Sequence, residues 1–195
     1  MVFFVADTHF FHDKIIELCH RPFNNSKEMN EALINNWNAV VSHDDTVYHL
    51  GDFALGGSQV GLKVVFDRLN GNKFLARGNH DRQNPKNYKD IPWVAVFDTK
   101  NITIDGHQIW LSHYAHRVWP GSHRGSYHLY GHSHGKLPPS GRSMDVGVDC
   151  GNFTPWSWEH LKQKLDSEVN RDQIVDTRGE SDTHYFFSER DKSGV

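Results

Sequence analysis

Short apolar segments alternate with longer amphipathic segments along the first part of the chain. Residues 2–6, 46–50 and 73–76 have the length and apolar character of strands that are buried on both faces. Residues 26–41 and 58–69, which lie between them, have apolar side chains at helical spacing. Strands that are connected through helices form right-handed parallel crossovers. The pattern therefore predicts an α/β fold with a parallel sheet, whose functional loops follow the carboxyl ends of the strands.

Each of the predicted helices has one apolar face. We expect Ser26 to be the N-cap of the first helix, with Trp37 on its buried face. In the second helix, four residues are expected to face the core: Val60, Val64, Val65 and Leu69. Trp158 marks the apolar face of a last helix, which is expected over residues 157–168.

The chain changes character after Pro92, where strand-like segments follow one another without long helices. Asp105 and Gly106 form a typical hairpin turn between two of these segments. The expected strands cover residues 93–98, 101–104, 108–112, 127–130 and 143–148. Because the sequence contains no repeat and no linker, we expect one domain over residues 1–195. Its core would cover residues 2–168, and a charged C-terminal extension would cover residues 169–195.

Composition and charge argue against several classes of protein. The 195 residues include 21 basic and 24 acidic side chains, and a net charge of −3 is unlike that of a non-specific nucleic-acid coat protein. Two cysteines are too few for a disulfide scaffold and fit a reducing compartment. The sequence has no apolar run long enough for a membrane span, and its first residues lack the basic region of a signal peptide. We therefore expect a cytoplasmic protein without a membrane partner.

Histidine is the unusual component, because it accounts for 15 of the 195 residues and is the commonest metal-ligating side chain. Five short polar clusters follow predicted strands: Asp7-Thr8-His9, Gly51-Asp52, Gly78-Asn79-His80-Asp81, His113 and Gly131-His132-Ser133-His134. The carboxyl ends of strands in an open α/β sheet converge on one crevice. Carboxylates, imidazoles and an amide carbonyl that meet there are suitable ligands for a divalent metal ion.

The order of these five clusters resembles the motifs of the calcineurin-like metallophosphoesterases, over roughly residues 2–165 of the chain. The resemblance implies an α/β fold in which two mixed β-sheets form a sandwich flanked by helices. It also implies a two-metal centre between the loops. The segment Asp145-Val146-Gly147-Val148-Asp149 is similar to the closing strand of the small single-domain bacterial and phage members of this superfamily. The chain differs from the larger members because it has no cap domain and no long insertion.

The resemblance implies a role for each motif residue. One metal ion would be held by Asp7, His9, Asp52 and His134, and the second by Asp52, Asn79, His113 and His132. Asp52 would then bridge the two ions. His80 matches the catalytic histidine of the superfamily, which contacts the substrate phosphate and helps the leaving group to depart. The expected ion is Mn²⁺, and Fe, Zn, Ni and Co are also compatible with this mixture of ligands.

Residues outside the motifs leave alternatives open. His116 competes with His113 as a metal ligand, although His113 lies at the end of a predicted strand. The segment 114–124 is either an ordinary surface loop or a substrate-binding rim, since arginine suits phosphate and aromatic faces stack on bases. The candidates for substrate binding are Arg82, His116, Arg117 and Trp119. His12 is a candidate for a position behind the site, and His49 is expected to be a hydrogen-bonded core histidine.

The functional expectation is a binuclear phosphoesterase in which a metal-activated water attacks phosphorus. Phosphodiesters, including nucleotides or nucleic acid, are favoured as substrates because no cap domain encloses a small metabolite. The alternatives are a phosphomonoesterase of a small metabolite and a non-catalytic interaction module with the same fold. The presence of His80 argues against the module, and a structural zinc site is disfavoured because such sites prefer cysteine ligands. No obligate protein partner is evident from the sequence.

Overall fold

The apolar segments of the sequence form the strands of two sheets, and the amphipathic segments form helices beside them. A computed structural model describes residues 1–83, 88 and 90–172 of the chain. The strands are β1 (Val2–Val5), β2 (Thr46–His49), β3 (Asn72–Ala76), β4 (Ala95–Phe97), β5 (Thr99–Ile104), β6 (His107–Ser112), β7 (Tyr127–Tyr130), β8 (Ser143–Asp145) and β9 (Trp156–Ser157). The helices are α1 (Asp13–Leu18), α2 (Ser26–Val40), α3 (Gln59–Arg68), α4 (Asn79–Gln83) and α5 (Trp158–Asp172).

The first sheet has the strand order β4-β3-β2-β1-β9. Strands β1 to β4 are parallel to their neighbours, with Val5 opposite His49 and His49 opposite Leu75. This arrangement confirms the predicted parallel crossovers. The short strand β9 pairs antiparallel with β1, which makes the sheet mixed.

The second sheet has the order β5-β6-β7-β8. Strands β5 and β6 form the predicted hairpin, whose turn contains Asp105 and Gly106, while β6, β7 and β8 are parallel. The two sheets meet near the site, where Ala6 forms a parallel bridge with Gly147. The structure therefore confirms the predicted α/β fold of two mixed sheets flanked by helices.

Two hydrophobic clusters hold these layers together. One cluster packs α2 and α3 against one face of the first sheet, and its largest fully buried side chain is Trp37. The other joins the opposite face of that sheet, through Phe4, to the second sheet and to Trp158 of α5. Both tryptophans are buried, as the sequence predicts, and Phe4 contacts Trp158 edge to face. Because each face of the first sheet is covered, its inner strand β1 is apolar on both sides.

Two details of the helices differ from the sequence prediction. The N-cap of α2 is Asn25, whose side chain accepts a hydrogen bond from the backbone N–H of Glu28, so Ser26 is already the first helical residue. In α3, Val60 and Val64 are exposed, whereas Val65 and Leu69 are buried as predicted. Leu62 and Phe66 complete the buried face, because residues three and four apart share one side of a helix.

The segment from 143 to 148 is a shorter strand than predicted. Strand β8 ends at Asp145 because the carboxylate of Asp145 accepts a hydrogen bond of 2.7 Å from the backbone N–H of Gly147, which turns the chain. The predicted extension over 169–195 begins within α5, and residues 173–195 lie outside the described part. Among the described residues, no helix combines the length and apolar character that crossing a bilayer requires.

Candidate metal centre

The predicted ligands lie in loops that follow the carboxyl ends of parallel strands. Asp7 and His9 follow β1, Asp52 follows β2, and Asn79 begins α4 just after β3. The remaining three ligands follow strands of the second sheet: His113 after β6, and His132 and His134 after β7. The contact between the two sheets brings these loops to one place.

The backbone of this region is unusual. Five of the seven predicted ligands have a left-handed backbone: Asp7 (φ 56°), His9 (φ 51°), Asp52 (φ 54°), His132 (φ 69°) and His134 (φ 49°). Positive φ is uncommon outside glycine, although aspartate and histidine tolerate it better than most residues. Residues in such conformations cluster at functional sites, where the surrounding structure holds them in place.

Two glycines allow the loops to approach one another closely. A Cβ atom on Gly51, which has φ 99°, would collide with Nδ1 of His113. A Cβ atom on Gly78 would collide with Oδ1 of Asp52. Any larger residue at these positions would therefore displace two of the predicted ligands.

Hydrogen bonds connect the loop after β1 with the loop after β2. The backbone N–H of Asp7 donates to the carbonyl of Gly51 at 3.0 Å, and that of His9 donates to the carbonyl of Asp52 at 3.1 Å. The hydroxyl of Thr8 donates to the carbonyl of Phe53 and lies 2.9 Å from Nε2 of His49. The fully buried His49 is thus the hydrogen-bonded core histidine that the sequence predicts.

Asp81, in the Gly-Asn-His-Asp motif, holds the loop that carries Asp52. Its buried carboxylate accepts hydrogen bonds from the backbone N–H groups of Asp52 and Gly78, both at 2.8 Å, and of Phe53 at 3.0 Å. Burial raises the pKa of Asp81 above its usual value. No role is predicted for Asp81 from the sequence, although its position in the Gly-Asn-His-Asp motif could have indicated one.

Asp52 lies at the centre of the cluster. Its Oδ2 atom is 3.5 Å from Nε2 of His113 and 3.8 Å from Nε2 of both His9 and His80. Its Oδ1 atom accepts a hydrogen bond from the backbone N–H of His80 at 2.9 Å. Burial alone would raise the pKa of Asp52, but the surrounding hydrogen bonds and imidazoles, with His113 first among them, lower it to about 2. This carboxylate therefore carries a negative charge wherever the protein is folded near neutral pH.

His113 is oriented by the backbone. Its Nδ1 atom lies 2.8 Å from the carbonyl oxygen of Leu50, and a carbonyl can only accept, so this nitrogen carries the proton. In the neutral imidazole, Nε2 is then an acceptor that faces Asp52 and lies 3.1 Å from Oδ1 of Asn79. Two acceptors at this distance have no hydrogen atom to share, and a cation between them would satisfy both.

The Asp7 side of the cluster contains polar atoms that lack partners. Oδ2 of Asp7 accepts a hydrogen bond from the backbone N–H of His132 at 2.7 Å. Oδ1 of Asp7 and Nε2 of His9 are buried without a hydrogen-bond partner within the described part of the chain. Burial, followed by the charges of Asp145 and Asp52, raises the pKa of Asp7 well above its usual value. Burial also lowers the pKa of His9 well below its usual value.

A divalent metal ion fits these features. Leaving buried polar atoms unpaired is costly, and unpaired buried groups in native structures call for an explanation. A cation would satisfy Asp7 Oδ1 and His9 Nε2 and would stabilise the ionised form of the Asp7 carboxyl. Neutral imidazole is the form of histidine that binds metal.

The structure brings most of the predicted ligands within reach of a metal ion. One group consists of Asp7, His9 and His134, and another of Asp52, His113 and His132; within each group the potential ligand atoms lie within 4.8 Å of one another. Asp52 is also grouped with His9 and His80. Asn79 joins the second group through its contact with His113. The division into two metal sites stays a prediction.

His80 lies beside this cluster, as the resemblance implies. Its side chain is 24% exposed, so that it borders both the predicted ligands and the surface. Its Nδ1 atom is buried without a partner among the described residues. The ring centroid of His12 lies 6.0 Å from that of His80, and Nδ1 of His12 is 3.3 Å from Nδ1 of His9. His12 therefore lies next to a predicted ligand and next to His80, which agrees with its predicted position behind the site.

The four predicted substrate-binding residues differ in the contacts that their side chains make. Arg82 donates to Asp98 at 2.8 Å. Nδ1 of His116 accepts a hydrogen bond from the indole of Trp110, and the indole of Trp119 donates to Ser126. Arg117 is exposed. A role in substrate binding stays a prediction for all four.

Tyr114 is a further residue at the edge of the centre. Its ring is 46% exposed and lies edge to face with His132 at a centroid distance of 4.7 Å. Tyr114 belongs to the 114–124 segment but is not among the substrate-binding residues predicted from the sequence. Its position directly after His113 is the only feature of the sequence that could have indicated its place at the centre.

Three charged residues lie behind the ligands, and the sequence predicts a role at the site for none of them. Asp145 accepts a hydrogen bond from the backbone N–H of Gly135 at 3.0 Å. Asp149 contacts both Arg21 and His134. Burial alone would raise the pKa of Asp149, but its hydrogen bonds with His134 and Arg21 lower it below the usual value. Nothing in the local sequence around Arg21 indicates that it reaches this site.

Comparison with known proteins identifies a related protein. No protein-family model matches the chain. The uncharacterized protein MJ1445 of Methanocaldococcus jannaschii is 32% identical over 173 residues, which cover 85% of this chain and 91% of that protein. The chain therefore belongs to the same family as MJ1445.

One solved structure shares the fold. The protein of unknown function AQ665 from Aquifex aeolicus superposes with a TM-score of 0.64 at 24% identity, covering 87% of this chain and 99% of that one. A structure described as a novel archaeal phosphodiesterase gives a TM-score of 0.44 at 21% identity, covering 75% of this chain and 81% of that one. The fold and the order of the site motifs are consistent with the calcineurin-like metallophosphoesterase superfamily.

Proposed function

We propose that the protein is a metal-dependent phosphoesterase that hydrolyses phosphate esters at this centre. The proposal rests on one observation: Nε2 atoms of three imidazoles surround the buried Asp52 carboxylate at 3.5–3.8 Å. Unpaired buried acceptors lie next to it on the Asp7 side. This combination of oxygen and nitrogen ligands suits divalent ions such as Mn²⁺.

Two metal ions would share Asp52. The ligands of one would be Asp7, His9, Asp52 and His134, and those of the other would be Asp52, Asn79, His113 and His132. Bound divalent ions would supply Lewis-acid polarisation of the phosphate and a lowered pKa for a water molecule. A carboxylate bridge is needed because it offsets the repulsion between two cations held close together.

The ligand set also suits an anionic substrate. Asp7 and Asp52 are the two carboxylates in the set, and Asn79 and the imidazoles are neutral ligands. Two divalent ions would therefore leave an excess of positive charge at the centre. A phosphate ester that approaches from the exposed edge beside His132 and Tyr114 would be attracted by this charge.

His80 is the proposed proton donor to the departing ester oxygen. It lies 3.8 Å from Asp52 without belonging to the proposed ligand set, and its side chain reaches the surface. Its backbone N–H holds Asp52, so the residue is fixed at the edge of the centre. General-acid assistance of this kind contributes about 10²–10⁴-fold to the rate.

Phosphodiesters, including nucleotides or nucleic acid, are the proposed substrate class. His132 and Tyr114 are exposed at the edge of the centre, and a phosphodiester needs space for a substituent on each side of its phosphate. Aromatic side chains at such an edge can stack on bases. A small phosphomonoester is the alternative substrate, and a direct comparison of the two classes distinguishes them.

The test is hydrolysis by the purified Mn²⁺-loaded protein and its His80→Ala variant. We expect a diester to be cleaved faster than the matching monoester. The variant should retain its metal content and lose about 10²–10⁴-fold in kcat with an alkyl leaving group. The loss should be smaller with a nitrophenyl leaving group, which hardly needs a proton.

His43→Ala is the matched control, because His43 is exposed and belongs to none of the site loops. It should leave kcat unchanged. Absence of hydrolysis by the wild-type protein with bound metal would contradict the proposed function. An equal loss on both leaving groups would contradict the proton-donor role of His80 and would indicate that it positions the phosphate.

A further inference from the structure

A buried guanidinium lies behind the Asp7 side of the centre. Arg21 is 4% exposed, and its Nε and one terminal nitrogen both donate to the carboxylate of Asp149 at 2.8 Å. The same side chain donates to the backbone carbonyls of Asp7 at 2.7 Å and Thr8 at 3.0 Å. The side chain of Arg21 therefore fixes the position of the Asp149 carboxylate relative to the loop after β1.

Asp149 also contacts a predicted metal ligand, His134. Its Oδ2 atom lies 2.7 Å from Nδ1 of His134. An ionised carboxylate only accepts, so Nδ1 of His134 carries a proton, and in the neutral imidazole Nε2 keeps its lone pair for a metal ion. His134 belongs to the group in which Asp7 and His9 offer ligand atoms within 4.8 Å.

We propose that Arg21 and Asp149 are positioning residues for the metal ion held by Asp7, His9 and His134. Asp149 fixes the tautomer and ring orientation of His134, and Arg21 fixes Asp149 and the backbone of the Asp7 loop. The inference rests on the metal centre proposed above. It adds two residues that do not touch the metal or the substrate.

The physical reason lies in the cost of burying charge. A carboxylate that orients a metal-bound histidine makes the imidazole a better ligand, but an unpaired buried carboxylate would itself be destabilising. Arg21 offsets this cost with two parallel hydrogen bonds, a geometry that a lysine cannot reproduce. His113 achieves the same orientation with the neutral carbonyl of Leu50 and needs no ion pair.

The first experiment determines the tautomer of His134 in the wild-type protein without metal. Long-range ¹H–¹⁵N correlation spectra at pH 7.5 distinguish imidazoles protonated at Nδ1 from those protonated at Nε2. We expect His134 to carry its proton on Nδ1. A proton on Nε2 would overturn the inference, and this experiment does not depend on the folding of any variant.

The second experiment compares Mn²⁺ binding by the wild-type protein and the Asp149→Asn variant, by titration calorimetry without substrate. We expect one binding event to weaken by about 10–100-fold, as is typical when the partner of a ligating histidine is removed. The other event should change much less, since His113 and His132 do not contact Asp149. Arg21→Lys should show a loss in the same event.

Glu31→Gln is the matched control. Glu31 forms a comparable two-fold hydrogen bond with Arg68 at 2.7 Å, on the surface and away from the centre, and its loss should leave Mn²⁺ affinity unchanged. If Asp149→Asn binds Mn²⁺ with the wild-type affinity, the positioning role of Asp149 is overturned and the proposed metal centre is not. Failure of the wild-type protein to bind Mn²⁺ would overturn the proposed metal centre and the inference with it.

Discussion

The two sides of the proposed metal centre are built differently. We call Asp7, His9 and His134 the inner side, and Asn79, His113 and His132 the outer side; Asp52 lies between them. On the inner side, Asp7 and His9 are buried and the Arg21–Asp149 ion pair stands behind the ligands. On the outer side, His132 is exposed, and His113 is oriented by the neutral carbonyl of Leu50.

The ligands of the inner side are therefore held rigidly, whereas the outer side is accessible from the surface. Buried ligands held by an ion pair are preorganised, which favours tight binding because little ordering is required on association. The outer side borders the surface through His132 and Tyr114, where a substrate can approach. We therefore expect the inner ion to be bound more tightly than the outer ion.

The largest expected effect is that of the residue common to both sides. Asp52→Asn removes the charge that allows two cations to lie close together, so both sides should bind metal poorly. Activity should fall by at least about 10³-fold, which corresponds to the loss of several kcal/mol of metal-supplied stabilisation. Metal analysis of the purified variant and its kcat with a diester measure the effect.

Asp67→Asn is the control for this change, since Asp67 is an exposed carboxylate paired with Lys63. It should bind two metal ions and hydrolyse the diester at the wild-type rate. Two tightly bound ions and normal turnover in Asp52→Asn would contradict the assignment of Asp52 as the bridge.

A smaller and more selective effect is expected from one histidine of each side. His9→Gln should lose the tighter Mn²⁺ binding event, whereas His132→Gln should lose the weaker one and retain the tighter. Calorimetric titration of both variants beside the wild-type protein measures this. Equal losses in the two variants would show that the inner and outer sides do not differ as proposed.

The smallest expected effect concerns the pH dependence of stability near the outer side. His128 accepts a hydrogen bond from the backbone N–H of His116, and burial lowers the pKa of His128 from its ordinary value to about 4. Between pH 6.5 and 4 the unfolded chain binds a proton at this residue and the folded chain does not. The free energy of unfolding should therefore fall with decreasing pH, by up to about 1.4 kcal/mol per pH unit.

The His128→Gln variant removes this contribution, so its stability should depend less on pH over the same range. Urea unfolding at pH 7, 6 and 5 gives the difference in slope between variant and wild type. His43→Gln, at an exposed position, should keep the wild-type slope. An unchanged slope in His128→Gln would contradict the proposed protonation.

Part of the centre could be predicted because strand ends converge. Apolar segments identify β1, β2 and β3, and the polar residues that follow them must meet at one edge of the sheet. The positions of Asp7, Asp52 and Asn79 follow from this rule. The resemblance of motif order then supplied the expected pairing of ligands across the two sheets.

The supports behind the ligands could not be predicted in the same way. Arg21 and Asp149 are 128 positions apart, and no local pattern connects a residue after α1 with one after β8. The buried face of α3 was also only partly predictable. Val60 and Val64 are apolar but exposed, and an apolar side chain does not by itself show which side of a helix faces the core. The turn after Asp145 depends on a side-chain hydrogen bond that hydrophobic patterning does not report.

The most direct test of the two-sided centre is anomalous diffraction from crystals of the wild-type protein grown with Mn²⁺. With excess metal, we expect two anomalous peaks on either side of the Asp52 carboxylate, one next to His9 and His134 and the other next to Asn79 and His113. With one equivalent per chain, the peak on the inner side should dominate. Absence of a peak at Asp52, or occupation of the outer side first, would contradict this arrangement.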